Sequence, residues 1–245
     1  MPRIEYGDTV YCSVEDVSRR FRKDGAFDTD SNPSDAEVLE FIREASARID
    51  RYTYHAWREN RVNEEEKRFD GNYKWGAGRA VKLTRMGIRT PFDSGEGDKI
   101  EVWTGNRWKD WLADDSRTEG RENDYWYERH EGVLWLYKRF IWWSGPQLRI
   151  TYRYGEDVPT ETQQLDDGTE YEVITQPHDI IRACSMLTAI ELYNTDTYSQ
   201  LVPGGEGSVS PESTVQHWED DIYGSDRKTG ILERHKIEPM WVEPL

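Results

Sequence analysis

The sequence predicts an α+β protein. A small antiparallel helical bundle (short helix, long helix, later buried helix) is interrupted by an inserted β-rich unit and followed by a C-terminal helical and extended arm. Three observations carry this prediction. Between Pro33 and Trp57, Val38, Ile42, Ala45, Ile49, Tyr52 and Ala56 recur at steps of four and three, which lays one apolar stripe along a helix. From about Asn60 the period shortens toward the two of β-strands, with Gly-bearing turns between apolar runs. From Pro177 to Tyr193 apolar residues return with few charges between them, the pattern of a helix covered on most sides. The expected division is 1–62 with 176–200 as a discontinuous helical core, 63–175 as the β-rich insertion, and 201–245 as the arm.

Each element has its own signal. Ser13 with Asp16 opens a short helix over SVEDVSRRFRK, turning Val14, Val17 and Phe21 inward. Gly25 and a cluster of turn formers break it, and Ser34 with Glu37 opens the long helix by the same reciprocal capping. Glu64 to Glu66 read as a solvated acidic run. Lys99 to Trp103 and Arg107 to Trp111 flank Thr104-Gly105-Asn106 as one hairpin, and Asp124 to Glu128 and Val133 to Tyr137 flank Arg129 to Gly132 as a second. Leu148, Ile150, Tyr152 and Tyr154 alternate with polar residues as a half-buried strand, and Gly155 to Gln176 reads as an acidic, turn-rich connection. Leu201 to Gly207 is a flexible joint without the Gly-Lys-Ser/Thr of a phosphate loop. Ser210-Pro211 then starts a helix with Val215, Trp218 and Ile222 on one face.

Composition narrows the partners. The 245 residues carry a net charge of -16, with 9 Lys against 23 Arg. Such a field repels duplex DNA and anionic membranes unless charge is strongly segregated along the chain. The acid excess suits a halophilic protein kept soluble in molar salt, and equally an ordinary acidic one. No apolar run reaches membrane-spanning length and the N-terminus lacks the order of a signal peptide, so synthesis and use in the cytoplasm are expected. Cys12 and Cys184 are too few for a disulfide framework or a Cys-based zinc site.

No catalytic or metal-binding constellation stands out, and no cofactor is expected. His55, His130, His178, His217 and His235 are scattered, and no Gly-x-Ser-x-Gly elbow occurs. Seven of the eleven Trp lie between Trp103 and Trp143. They fit a β core, a protein interface or a sugar-stacking platform, and Trp142-Trp143 beside Ser144-Gly145-Pro146 fit a loop that touches a partner. The C-terminal stretch places Val215, Trp218, Ile222, Tyr223, Ile231, Ile237 and Trp241 among polar residues and prolines. This pattern predicts an arm that docks either on a partner or on its own domain.

The order of SVEDVSRRFRK, SDAEVLEFIREASARIDRYTYHAW, DYWYERHEGVLWL, LRITYRYG, QPHDIIRACSMLTAIELYNTD and VPGGEGSVSPESTVQHWEDDIY resembles the head-to-tail connector proteins of tailed phages and tailed haloarchaeal viruses, also called adaptor or head-completion proteins. The resemblance implies a structural virion protein rather than an enzyme. Such a protein assembles in the host cytoplasm as a ring, typically dodecameric, beneath the portal protein, and joins the head to the next neck or tail-completion protein. DNA would pass through the ring without tight binding, no membrane would be involved, and the arm from about Pro211 to Leu245 would reach the portal. Its deletion would then leave the remaining fold largely intact. A Trp-rich carbohydrate-binding or other ligand-binding module is the alternative, and the role of the β insertion stays open.

Overall fold

The computed structural model describes residues 2–21, 27–68, 79–89, 92–121, 123–137, 146–195, 211–225 and 228–237. The chain divides into two compact units. One, called here the β unit, holds residues 1–7 and 59–156; the helical unit holds 8–58 and 157–245. The division departs from the expected one at both ends. The first seven residues belong to the β unit, and the C-terminal segment belongs to the helical unit.

The β unit contains β1 (Arg3–Glu5), β2 (Asn60–Lys67), β3 (Arg79–Lys82), β4 (Lys99–Trp103), β5 (Trp108–Asp110), β6 (Tyr125–Glu128), β7 (Val133–Leu136) and β8 (Leu148–Tyr154). They form an antiparallel five-stranded sheet in the order β1-β2-β8-β4-β5 and a three-stranded sheet in the order β3-β7-β6. Both expected hairpins are present. In the second, Gly132 sits at φ +63° with its carbonyl accepting from the Leu83 amide, a conformation that favours glycine. Alternation along β8 places Leu148, Ile150, Tyr152 and Tyr154 wholly inside the unit.

β2 occupies the stretch expected to be a solvated acidic run, and this corrects that expectation. Strand alternation resumes after a bulge between Val62 and Glu65, with Glu64 at φ 51°, so that Glu65 turns inward and is only 2 % exposed. Its carboxylate accepts from the Thr84 amide and hydroxyl and from the Tyr152 hydroxyl, and it pairs with Lys67 at 2.7 Å. Those partners are what make the burial tolerable.

The helical unit contains α1 (Val14–Ser18), extended by a 3-10 turn at Arg19–Phe21, then α2 (Asp35–Thr53), β9 (Thr160–Gln164), β10 (Glu170–Ile174), α3 (His178–Asn194), α4 (Pro211–Tyr223), β11 (Gly224–Ser225), β12 (Lys228–Thr229) and α5 (Ile231–His235). Reciprocal capping boxes open α1 at Ser13 and α2 at Ser34, and α2 stops where Tyr54 adopts a left-handed conformation. The acidic connection expected between 155 and 176 is in fact the β9–β10 hairpin. Helices and hairpin share one core: Val17, Ile42, Ile49, Val173, Leu187 and Ile222 all belong to it. The unit is therefore mixed rather than a bundle of helices alone.

Candidate functional site

The arm residues have a place. Val215, Trp218 and Ile222 on α4 and Ile231 on α5 are buried in the helical unit's own core, and Tyr223 packs partly buried against it. Of the two dockings the sequence left open, on a partner or on its own domain, these residues take the second. The cause lies in α3, where Ile180, Ala183, Cys184, Met186, Leu187, Ala189, Ile190 and Leu192 are all buried and need cover on more than one side. Polar contacts fasten the segment further. Arg182 pairs with Asp221 at 2.6 Å, the Tyr52 hydroxyl donates to Glu233 at 2.9 Å, and the Ile237 amide donates to the Thr53 carbonyl at 2.9 Å. His235 Nε2 lies 2.6 Å from Asp179 Oδ2 while its ring meets Trp57 edge-on. Burial alone would raise the Asp179 carboxyl, but its contact with His235 holds it below the ordinary value. Deleting 211–245 would thus strip this core, contrary to the expectation that the remainder stays intact. Trp241 lies outside the described residues.

Under these helices sits a sealed polar centre that the linear sequence does not announce. Arg58 Nε and Nη2 each lie 3.0 Å from Asp50 Oδ2, and Nη1 donates to the Thr9 carbonyl at 2.8 Å. The Tyr11 hydroxyl donates to Asp50 and accepts from the Trp57 amide. The Arg58 and Asp50 side chains are 1 % and 0 % exposed. Burial first, and the Asp50 charge second, push the Tyr11 hydroxyl well above its ordinary value. No substrate can reach this centre; it ties residues 9–11 to α2 and to the chain leaving it.

The tryptophans of the β unit divide. Trp111 is buried, whereas Trp103, Trp108, Trp126 and Trp135 are half-buried. Trp103 and Trp108 face each other across β4 and β5 with ring centroids 5.4 Å apart, and Trp126 pairs with Trp135 across β6 and β7. The Arg149 guanidinium lies 5.0 Å from the Trp108 ring, gripped by both Glu101 oxygens at 2.8 Å. Nearby, Arg153 contacts Asp98, Glu59 and Glu96, and Arg89 pairs with Glu59. Trp142 and Trp143 lie outside the described residues, so the structure describes no loop contact for them.

Among the described residues no group of three or more His, Cys, Asp or Glu is arranged to hold a metal ion, and no helix is long and apolar enough to cross a membrane. What the two units do show is charge segregation. The β unit holds 19 basic and 19 acidic residues, while the helical unit holds 13 basic and 29 acidic ones and hence the whole net charge of -16.

No family model matches the chain, and no curated protein matches it. Solved structures show a distant likeness. A chain from the neck of an empty gene transfer agent particle, computed with C6 symmetry, is 15% identical with a TM-score of 0.42, over 88% of this chain and 94% of that one. One from the virion of a native gene transfer agent particle is 14% identical with a TM-score of 0.42 over the same shares. One from the neck of the native particle, computed with C12 symmetry, is 14% identical with a TM-score of 0.36, covering 89% of this chain and 94% of that one.

Proposed function

We propose that this protein is a structural virion component, a head-to-tail connector that assembles as a ring, dodecameric in form, beneath a portal and joins the head to the next neck or tail protein. One observation carries the reading: a capped short helix, a capped long helix, an inserted β unit, a buried helix and an amphipathic helix follow one another, and the helices on both sides of the insertion close a single core. That order is the pattern on which the sequence resembles connectors. The protein performs no chemistry in this role, and its acidic surface leaves passing DNA unbound by repelling phosphate. Negative-stain electron microscopy of the purified chain in molar potassium chloride tests it. Rings with an open channel are expected; a protein that stays monomeric, even with portal rings added, overturns the reading.

Portal contact falls to the outward side of the arm, because its apolar side is already used. Glu212, Gln216, His217 and Glu219 are exposed on α4, and Trp241, outside the described residues, is proposed to contribute with them. Removing only 238–245 leaves Val215, Trp218, Ile222 and Ile231 in the chain, and portal capture lost with an unchanged far-UV spectrum is the expected result. Trp142 and Trp143 are proposed contacts of the β unit with the next neck protein. A second reading, a glycan-binding face, rests on the half-buried Trp103–Trp108 pair beside Arg149 and Glu101. Tryptophan fluorescence unchanged by any glycan removes it.

A further inference from the structure

The two cysteines are nucleophilic groups that the connector reading leaves unused. Cys12 and Cys184 are the only cysteines of the chain, they lie on opposite sides of the β-unit insertion, and both are wholly buried in the helical unit's core as free thiols. They meet there. The Cys12 thiol is hydrogen-bonded to Cys184. A shared neighbour, Ser46 on α2, places them independently. Its hydroxyl accepts from the Tyr11 amide at 3.1 Å, lies 3.5 Å from Cys184 Sγ, and donates to the Ile42 carbonyl at 2.8 Å. The chain around Cys12 is fixed on both sides. Val10 donates to the Glu172 carbonyl and accepts from the Ile174 amide on β10, while Ser13 caps α1 and the Val14 amide donates to the Tyr171 hydroxyl at 3.3 Å. Cys184 lies inside α3 with its sulfur turned toward α2, 4.0 Å from the Ile42 carbonyl oxygen.

A disulfide requires sulfurs that can close to about 2.0 Å from converging side chains, and thiols already hydrogen-bonded to each other meet the second condition. We propose that Cys12 and Cys184 form an intramolecular disulfide under oxidising conditions, a modification that fastens the segment entering α1 to α3. The oxidant is a small-molecule disulfide such as oxidised glutathione. One protein thiol gives up its proton and its sulfur attacks the reagent, which releases one reagent thiol and leaves a mixed disulfide. The other protein thiol then loses its proton and attacks the protein sulfur of that intermediate, releasing the second reagent thiol. Two protein thiols are thereby oxidised by two electrons, and one reagent disulfide is reduced to two thiols. Burial, and then the adjoining thiol, push the Cys12 thiol well above its ordinary value. Exchange in the closed fold is therefore slow, and the bridge forms as the helical unit folds or opens. Along the chain the bond closes a loop that contains the whole β unit, so it holds the two segments of the helical unit together whatever the state of the insertion. A reducing compartment keeps the thiols free and an oxidising one closes them. The pairing does not rest on the connector reading.

The full-length wild-type chain tests the proposal. Reduced protein is refolded from urea in a buffer of oxidised and reduced glutathione, and its intact mass, its unreduced peptide map and its thermal midpoint are measured. Expected are a mass lower by two hydrogens, a peptide joining Cys12 to Cys184, and a midpoint raised by about 5–10 °C over the reduced chain. Two free thiols, glutathione left on either cysteine, or a bridge between two chains overturns the proposal. A bridge that leaves the midpoint unchanged overturns its role as a fastening. The Cys12→Ser, Cys184→Ser double variant separates the bond from the buffer, since its midpoint is expected to be the same in oxidising and reducing buffer; a shift equal to that of the wild type overturns the assignment. Reduction of the bridged wild-type chain guards against a variant that does not fold, and is expected to bring the midpoint back down by the full amount. None of these outcomes bears on ring formation, which microscopy tests separately.

Discussion

The two units handle buried charge in opposite ways. The helical unit seals both partners of one pair, Asp50 and Arg58, from water, and carries its large acid excess outside. The β unit balances its charge and spreads it over pairs in which at least one partner reaches water, Asp98 at 0 % with Arg153 at 12 %, Glu65 at 2 % with Lys67 at 28 %, and Glu101 at 14 % with Arg149 at 24 %. The difference teaches where each unit is brittle. A sealed pair is costly to break because the surviving partner stays buried without water, whereas a partly solvated pair loses little when cut.

The sharpest way to break the comparison is to cut one pair in each unit. Asp50→Ala strands Arg58 and is expected to destabilise the helical unit by about 3–5 kcal/mol. Arg149→Ala is expected to cost less than about 1 kcal/mol. Hydrogen exchange followed peptide by peptide in urea reads the units separately, and equal losses would erase the contrast. Apolar truncations should not discriminate: Ile42→Ala and Leu134→Ala, both wholly buried, are each expected to cost about 2–5 kcal/mol in their own unit.

Smaller effects sharpen it further. Gly132→Ala places a Cβ 2.6 Å from the Arg85 carbonyl oxygen at a φ of +63°, and is expected to cost the β unit about 1–3 kcal/mol while leaving helical-unit exchange unchanged. Alkaline pH acts on both units. Burial, helped by Asp50, raises Tyr11; burial, helped by Glu65, raises Tyr152; and burial, helped by Glu119, raises Tyr127 to about 12. Each folded value lies above the unfolded one, so this stability is full below the ordinary tyrosine value of 10.0 and is lost as pH climbs toward the folded values. Tyr11→Phe should flatten the alkaline slope of the helical unit only. The least effect is acid: Asp179 is held below 3.8, so its contribution is present above that value and fades as pH falls through the lowered one. Asp179→Asn should remove that slope at a cost below about 1 kcal/mol.

Much of the fold was legible because its signals are local. Ser13 with Asp16 and Ser34 with Glu37 cap amides three residues away, and the hairpins at Gly105 and Gly132 declare themselves by turn residues between apolar runs. The β9–β10 hairpin was not legible. Its outer strand, Thr160 to Gln164, has no apolar residue, and on β10 Tyr171, Val173 and Ile174 are buried, a run too short and uneven to set a period. Glu65 is hidden from a linear reading for a related reason: three adjacent acids look alike until the strand's alternation turns one of them toward Tyr152 and Thr84.

Of the proposed contact surfaces, the sequence showed composition rather than direction. It marked α4 as amphipathic, but not that the apolar face would close over α3 in the same chain, because amphipathicity specifies a buried side without naming its partner. The sequence by itself determined where helices start, where hairpins turn and that the chain is strongly acidic, since capping, turn geometry and net charge depend on residues close together or on their sum. Only the tertiary structure decided that Asp50 meets Arg58 and Thr9, and that the acid excess falls wholly in one unit. Those depend on contacts between residues far apart in the chain, which packing selects and no local pattern records.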